Sequence, residues 1–341
     1  MMSSQTETAL PAAAAELPPY SHELPWPAHL APFKVVDDGS QGDPYEHYAW
    51  MRENAPVLRA QSPVSDVWFI SRYADVRKAM RAPKIFSSEV VKPVPLNFLT
   101  IIDAPDHARL RQVVAKAFTP KAINLFEDLV RANAHRSLDR LIANGGGDVV
   151  EEFAIPLSIS TIGALLDVRA EDFEKMKFWS DETFSYFGRL ARNAPGTATD
   201  EQSTLELFEY LKENMERLHL EGNESIGGHI ARMWKEGTLT EKEAKELCAF
   251  VFVAGHDTTT ILLANTFLTY SEQPHLLDRI RRNPADAVKF AEELARFRGT
   301  IQRASRVTTE DVEVAGTVIP QGAIVRLLPG AQPGQREVPG R

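Results

Sequence analysis

The sequence predicts a mainly α fold with a small β region, and three observations carry that reading. From about Pro105 to Phe297 apolar residues recur at three- and four-residue spacing, the mark of helices with one buried face. Short β-rich runs occur early, and period-two runs return after Arg303. The 341 residues are 43% apolar and 25% charged, the balance of a globular chain.

The elements follow in order. Residues 1–26, rich in Ala and Pro, read as a flexible lead-in, and 27–330 as a single domain. PYEHYAWMRENAP is helical from Pro44 and stops before Pro56. Residues 56–60 and 67–71 read as a hairpin, and RYADVRKAMRAP as a short helix ended by Pro83. Residues 86–103 form an apolar, proline-interrupted loop of the kind that lines pockets. DHARLRQVVAKAF, KAINLFEDLVRANAHRSLDRLIAN, PLSISTIGALL, EDFEKMKFWSDETFSYFGRL and LELFEYLKENMERLHL are helices, with NAPGTATDEQS as a polar loop. Thr240 and Glu243 make a capping-box pattern that opens a helix running to about Ser271, roughly 48 Å at 1.5 Å per residue. NPADAVKFAEELARF carries Pro284 in its first turn. Short strands follow, with turns at Gly316 and at Gln321–Gly322.

Charge and cysteine usage exclude some functions. Lys and Arg total 38 against 47 Asp and Glu, a net charge of −9, which argues against nucleic-acid binding. The single cysteine, Cys248, excludes an intrachain disulfide and fits a reducing compartment. The N-terminal stretch has neither the ~20 apolar residues of a membrane span nor a secretory core. The expectation is a soluble, cytoplasmic protein without a membrane partner.

The stretch CAFVFVAGHDTTT at 248–260 sits inside the long helix. Glycine there costs about 1 kcal/mol against alanine, and Asp and Thr prefer caps and turns. A hydroxyl that bonds back to the preceding turn bends a helix. Together they suggest a local opening with a small backbone, an acid and a hydroxyl, suited to a small ligand and proton delivery. The alternative is close helix packing with Asp257 in a structural hydrogen bond. A third reading takes His256–Asp257 as part of a metal-dependent phosphohydrolase site that recruits His107, His135, His229 or His275.

In chain order the sequence shows DAPDHARLR, AGHDTT, ELAR and SRVTTEDVEVAGTVIPQGAIV. That order resembles the cytochrome P450 family, the haem-thiolate monooxygenases, from about Pro44 to Gly330. The resemblance implies that fold, a haem b cofactor, and insertion of one atom of O₂ into a small organic substrate. It also implies electrons from a ferredoxin or flavin-type donor. Asp257 and Thr258 match the acid–alcohol pair that relays protons during oxygen activation, and Ala254 and Gly255 the small residues that leave room above the haem. His107, Arg111 and Arg306 match donors to haem propionates, and Glu293 with Arg296 a structural pair. The substrate would lie between the long helix, the 86–103 loop and the segment around Phe184 to Phe187. A non-catalytic relative that binds a small apolar ligand or a partner is the alternative.

The family's axial cysteine lies in a Phe-x-x-Gly-x-x-x-Cys-x-Gly loop, and no such loop is present in these residues. Cys248, on the long helix, is the wrong cysteine for that role. The expectation is a chain that ends before the haem-ligand loop, binds haem poorly and has no normal turnover, with no metal ligand of its own. Residues 331–341, GAQPGQREVPGR from Gly330, share nothing with the family's usual Asn-Arg-Asp continuation. One choice of synonymous codons for Gln332 to Arg341, read one base later, gives Asn-Arg-Asp-Ser-Ala-Lys-Phe-Pro-Asp. The tail therefore reads as a frameshift near Ala331. Sequencing the locus should find the cysteine loop in the alternative downstream frame; a frame without it sinks the idea.

Overall fold

The structure is a computed structural model that describes residues 17–34, 44–62, 65–90, 97–118, 123–124, 126–190 and 196–331. Residues 332–341, on which the frameshift reading rests, lie outside the described residues. Helices α1 (Tyr45–Asn54) and α2 (Tyr73–Met80) flank strands β1 (Val57–Gln61) and β2 (Asp66–Ile70), and a short β3 (Phe86–Ser87) follows. The helical part comprises α3 (Asp106–Ala117), α4 (Glu127–Ala143), α5 (Ile155–Leu165), α6 (Phe173–Leu190), α7 (Ala198–Leu220), α8 (Ile226–Lys235), α9 (Glu241–Glu272), α10 (Pro274–Arg282) and α11 (Asp286–Phe297). Strands β4 (Ala304–Thr308), β5 (Val312–Val314), β6 (Thr317–Ile319) and β7 (Ile324–Leu327) close the fold.

The early hairpin and the late strands share one sheet in the order β1-β2-β7-β4-β3. β1 and β2 pair antiparallel with Leu58 opposite Phe69, while β2 and β7 run parallel with Trp68 opposite Val325. Alternation sorts the side chains onto two faces. Leu58 and Phe69 meet Phe33, Tyr48 and Met51 on one, while Val57, Trp68 and Ile70 meet Val76, Val325 and Leu327 on the other. Tyr20 to Trp26 already pack on this layer, short of the expected boundary at Trp26: Tyr20 bridges to Arg59, and the Trp26 ring lies tilted against Trp50 with centroids 4.0 Å apart.

Helix α9 organises the helical layer. It begins where the capping box predicts: the Thr240 hydroxyl accepts from the Glu243 amide at 3.2 Å, and the Glu243 carboxylate accepts from the Thr240 amide at 2.8 Å. Arg109 of α3 also binds Glu243, and the arginine's hydrogen bond with the capping groups outweighs burial and holds that carboxyl below its usual range. α9 is long and apolar enough to cross a membrane, yet Leu247, Ala249 and Phe252 are fully buried in the main core cluster with Leu207, Leu211 and Ile230.

Three elements differ from the sequence reading. α7 starts inside the expected polar loop, because the Thr197 hydroxyl accepts from the Asp200 amide and Asp200 binds Arg189 at 2.6 Å. α8 was hidden by two glycines. Gly227 lets the helix pass Leu166, whose carbonyl oxygen would lie 2.5 Å from an added Cβ. The long helix ends at Glu272, close to the Ser271 expected, and Pro274 opens a further helix, α10, that the sequence reading does not include.

The 86–103 loop is fastened to α9 by a buried carboxylate. Glu246, 1% exposed, accepts from the Asn97 amide at 3.2 Å and from Asn97 Nδ2 at 2.7 Å, both on Oε2. Its Oε1 has no hydrogen-bond partner, and the Lys242 ammonium stands 3.8 Å away. Burial raises the Glu246 pKa; Asn97 and Lys242 lower it and Glu243 adds to the rise. A folded-state pKa raised this way contributes stability below the unfolded value of about 4.3, and that contribution is lost as pH rises through the folded value. Glu246→Gln keeps an acceptor for Asn97 without the charge. Its urea midpoint should therefore gain on wild type between about pH 5 and 8; parallel midpoints across that range would show that the carboxylate is not desolvated.

Candidate active site

The helix turn around Gly255 divides its residues between two faces. Ala254, Thr258, Ile261 and Leu268 fall on one face, which is open: Ile261 is 47% and Leu268 49% exposed. His256 and Thr260 fall on the other, both buried against α5. Gly255 itself faces α5. An added Cβ would sit 2.7 Å from Ile162 Cδ1, so the missing side chain serves the packing of α9 on α5. The close-packing reading thus accounts for the glycine, and Ala254 is the small residue that lies open.

The helix stays continuous through this turn, without the expected opening. Thr258 does bond back: its hydroxyl donates to the Ala254 carbonyl at 2.8 Å. The hydrogen is thereby committed, and the oxygen lone pairs remain to accept. Asp257 is half-buried beside it, and burial raises its pKa above the ordinary carboxylate value. His256 lowers it, Asp181 raises it, and Lys177 lowers it.

Three residues that sequence reasoning passed over complete the surroundings. Lys177 and Asp181 of α6 pair at 2.7 Å and look onto Asp257. Their four-residue spacing signals a helical ion pair and nothing more. Ser158 of α5 contacts His256 Nδ1 at 3.1 Å and Thr260 Oγ1 at 2.6 Å. No local pattern announces a contact that spans 98 residues. Asp181, His256 and Asp257 bring donor atoms within 4.8 Å of one another, a group that does not include His107, His135, His229 or His275. The Lys177 ammonium supplies a positive charge there.

The basic residues fit the carboxylates of a haem. His107 and Arg111 share a face of α3, and among the described residues neither side chain has a hydrogen-bond or ion-pair partner. Arg306 on β4 and Arg326 on β7 make no ion pair among the described residues, although both are largely buried. Burial lowers both pKa values; Arg306 feels Asp103, and Arg326 the repulsion of Arg303. Arg306 donates to the Ser305 carbonyl at 2.6 Å, and Arg326 donates to the Ser305 hydroxyl. Largely buried cations without an ion-pair partner among the described residues suit an anionic ligand. Glu293 and Arg296 pair at 2.5 and 2.8 Å on α11, and that pairing keeps the Glu293 carboxyl ionised to lower pH. The axial position is different. Cys248 is 1% exposed in the core, 3.5 Å from the Met215 sulfur, and burial pushes its thiol up to about 12. It cannot serve as a thiolate ligand from there. On the substrate side, Phe184 is 60% exposed; residues 91–96 and the Phe187 side chain lie outside the described residues.

No family model matches the chain. Individual proteins do. It is similar to the cyclomarin C epoxidase CymV of Salinispora arenicola, 30% identical over 294 residues that cover 81% of this chain and 72% of that protein. It is similar to erythromycin C-12 hydroxylase of Saccharopolyspora erythraea, 30% identical over 291 residues that cover 81% of this chain and 70% of that protein. Among solved structures, the ligand-free structure of cytochrome P450 TbtJ1 superposes with a TM-score of 0.73 at 30% identity, over 86% of this chain and 78% of that one. The identity and coverage of these relatives, on a fold that carries an acid and a hydroxyl on one long helix, make this chain a member of the cytochrome P450 family, the haem-thiolate monooxygenases.

Proposed function

We propose that this sequence encodes the distal half of a monooxygenase site, in which Asp257 delivers protons and Thr258 holds the group that receives them. The observation that carries the reading is the back-bonded Thr258 hydroxyl beside a half-buried acid whose carboxyl favours the protonated form. A haem, when bound, supplies the activation of dioxygen. Ala254 leaves the helix face low enough for a small molecule to approach. Thr258 Oγ1 offers lone pairs toward the same face, where it holds a water in register with Asp257. Asp257 passes a proton along that water and regains one from solvent, because its side chain remains 36% exposed. His107, Arg111 and Arg306 would hold the haem carboxylates.

The substrate is a small organic molecule lying between α9, the Asn97 segment and the Phe184 segment, and the electrons come from a ferredoxin or flavin-type donor. The protein works in solution in the cytoplasm. Within these 341 residues no cysteine is placed to serve as the axial thiolate, Cys248 being buried in the core.

Two measurements test this. With haem supplied, the reduced, carbon monoxide-treated chain should lack a thiolate-type Soret band, and the chain extended with a family cysteine loop should show one. In that extended protein Thr258→Ala should cut product formed per NADH by about tenfold or more, with the reducing equivalents recovered as peroxide. Unchanged coupling would remove Thr258 from proton delivery, and an extended chain that folds without taking up haem would favour the non-catalytic ligand-binding reading.

A further inference from the structure

His256 is the part of the motif that the acid–alcohol reading leaves without work. It is 2% exposed and sits one residue from the acid, and its ring is gripped from α5. The hydrogens in this grip can be counted. Ser158 Oγ has one hydrogen, and we assign it to the Ile155 carbonyl at 3.0 Å, the one partner of the three that can only accept. The two remaining contacts of Ser158 must then be ones it accepts. Thr260 donates its hydroxyl hydrogen at 2.6 Å, and His256 donates from Nδ1 at 3.1 Å. A neutral imidazole that carries its hydrogen on Nδ1 has a bare lone pair on Nε2. That nitrogen faces Asp257 Oδ1 at 3.5 Å. A lone pair facing a carboxylate is repulsive, whereas a lone pair facing a carboxylic acid is a hydrogen bond. A small rotation of the half-exposed Asp257 side chain closes the remaining distance.

We infer that His256 is a positioning residue that keeps Asp257 protonated: pinned by Ser158 and Thr260, it offers Nε2 as an acceptor for the carboxylic proton. The two side chains hold a single proton between them, and it resides on the acid. The inference rests on the reading of Asp257 as the proton donor and says how that donor stays loaded.

The charges nearby agree with a neutral pair. Lys177 and Asp181 on α6 face it as an ion pair of their own, and Glu151 of the π-helical turn Val150–Ala154 lies beside Lys177. The α5 face contributes the hydroxyl of Ser158. Burial lowers the His256 pKa and raises that of Asp257, which favours the uncharged form of each. In free side chains the order is the reverse: at about pH 5 a histidine is imidazolium and an aspartate is ionised.

The test reads protonation directly, in the full chain and without haem. Histidine labelled with ¹⁵N and aspartate labelled at the carboxyl carbon are followed by NMR from about pH 4 to 8, with His256→Asn and Asp257→Asn to assign the signals. At about pH 5 the expected state is a neutral His256 with its hydrogen on Nδ1 and a protonated Asp257. Asp257→Asn should retain the Nδ1 hydrogen, because the amide donates to Nε2 as the acid does. Ser158→Ala removes the acceptor; His256 should move its hydrogen to Nε2, and Asp257 should titrate at lower pH. An imidazolium–carboxylate pair at pH 5, or a neutral ring with its hydrogen on Nε2, overturns the proposal. Either result leaves the role of Thr258 standing or falling on its own coupling measurement.

Discussion

The close approach of α9 to α5 at Gly255 is the constraint on which the site depends. A helix interior pays about 1 kcal/mol for glycine over alanine. Here the extra methyl would meet Ile162 at 2.7 Å, and overpacking a core costs typically about 1–3 kcal/mol. The approach then fixes everything else on that turn. His256 and Thr260 are pressed onto Ser158, and the opposite face, with Ala254 and Thr258, is turned outward. One helical turn thus separates a buried hydroxyl–imidazole network from an open acid–alcohol face.

Much of the fold was legible because its signals are local. The Thr240–Glu243 box marks the start of α9 to the residue, and the positive φ of 80° at Gly316 and 77° at Gly322 sits where the turns were read. The elements that escaped, α8 and α10, carry glycines or a proline in their first turns. Gly227 is retained for its approach to Leu166 and Pro274 for its place in a first turn, and both reasons are tertiary or positional.

The site was legible to a different degree. Asp257, Thr258 and Ala254 are neighbours in sequence, and their pattern survives as a string. Glycine 255 was read as room above a cofactor, because a string does not say which way a missing Cβ points; the direction is toward Ile162. His107, Arg111 and Arg306 were singled out through the family resemblance, whereas Arg326 was not, since one arginine in a strand has no distinguishing neighbour. The β4–β7 pairing sets Arg326 opposite Ser305, so strand alternation places it on the other face of the sheet from Arg306.

Burial explains why polar residues can populate this helix at all. An unpaired polar group inside the core costs several kcal/mol, and a charge costs more. α9 meets this cost differently at each position. At Glu246 it accepts two donors from Asn97 and leaves one oxygen unsatisfied. At Cys248 burial simply keeps the thiol neutral beside Met215. Around His256 the Ser158 hydroxyl meets ring Nδ1 at 3.1 Å and Thr260 Oγ1 at 2.6 Å, so the buried polar groups partner one another. Asp257, one residue on, is the first group along this stretch that combines partial burial with contact to solvent. A proton donor needs both conditions: burial raises its proton affinity, and exposure lets it reload. The helix supplies them at that residue because its buried and open faces meet there.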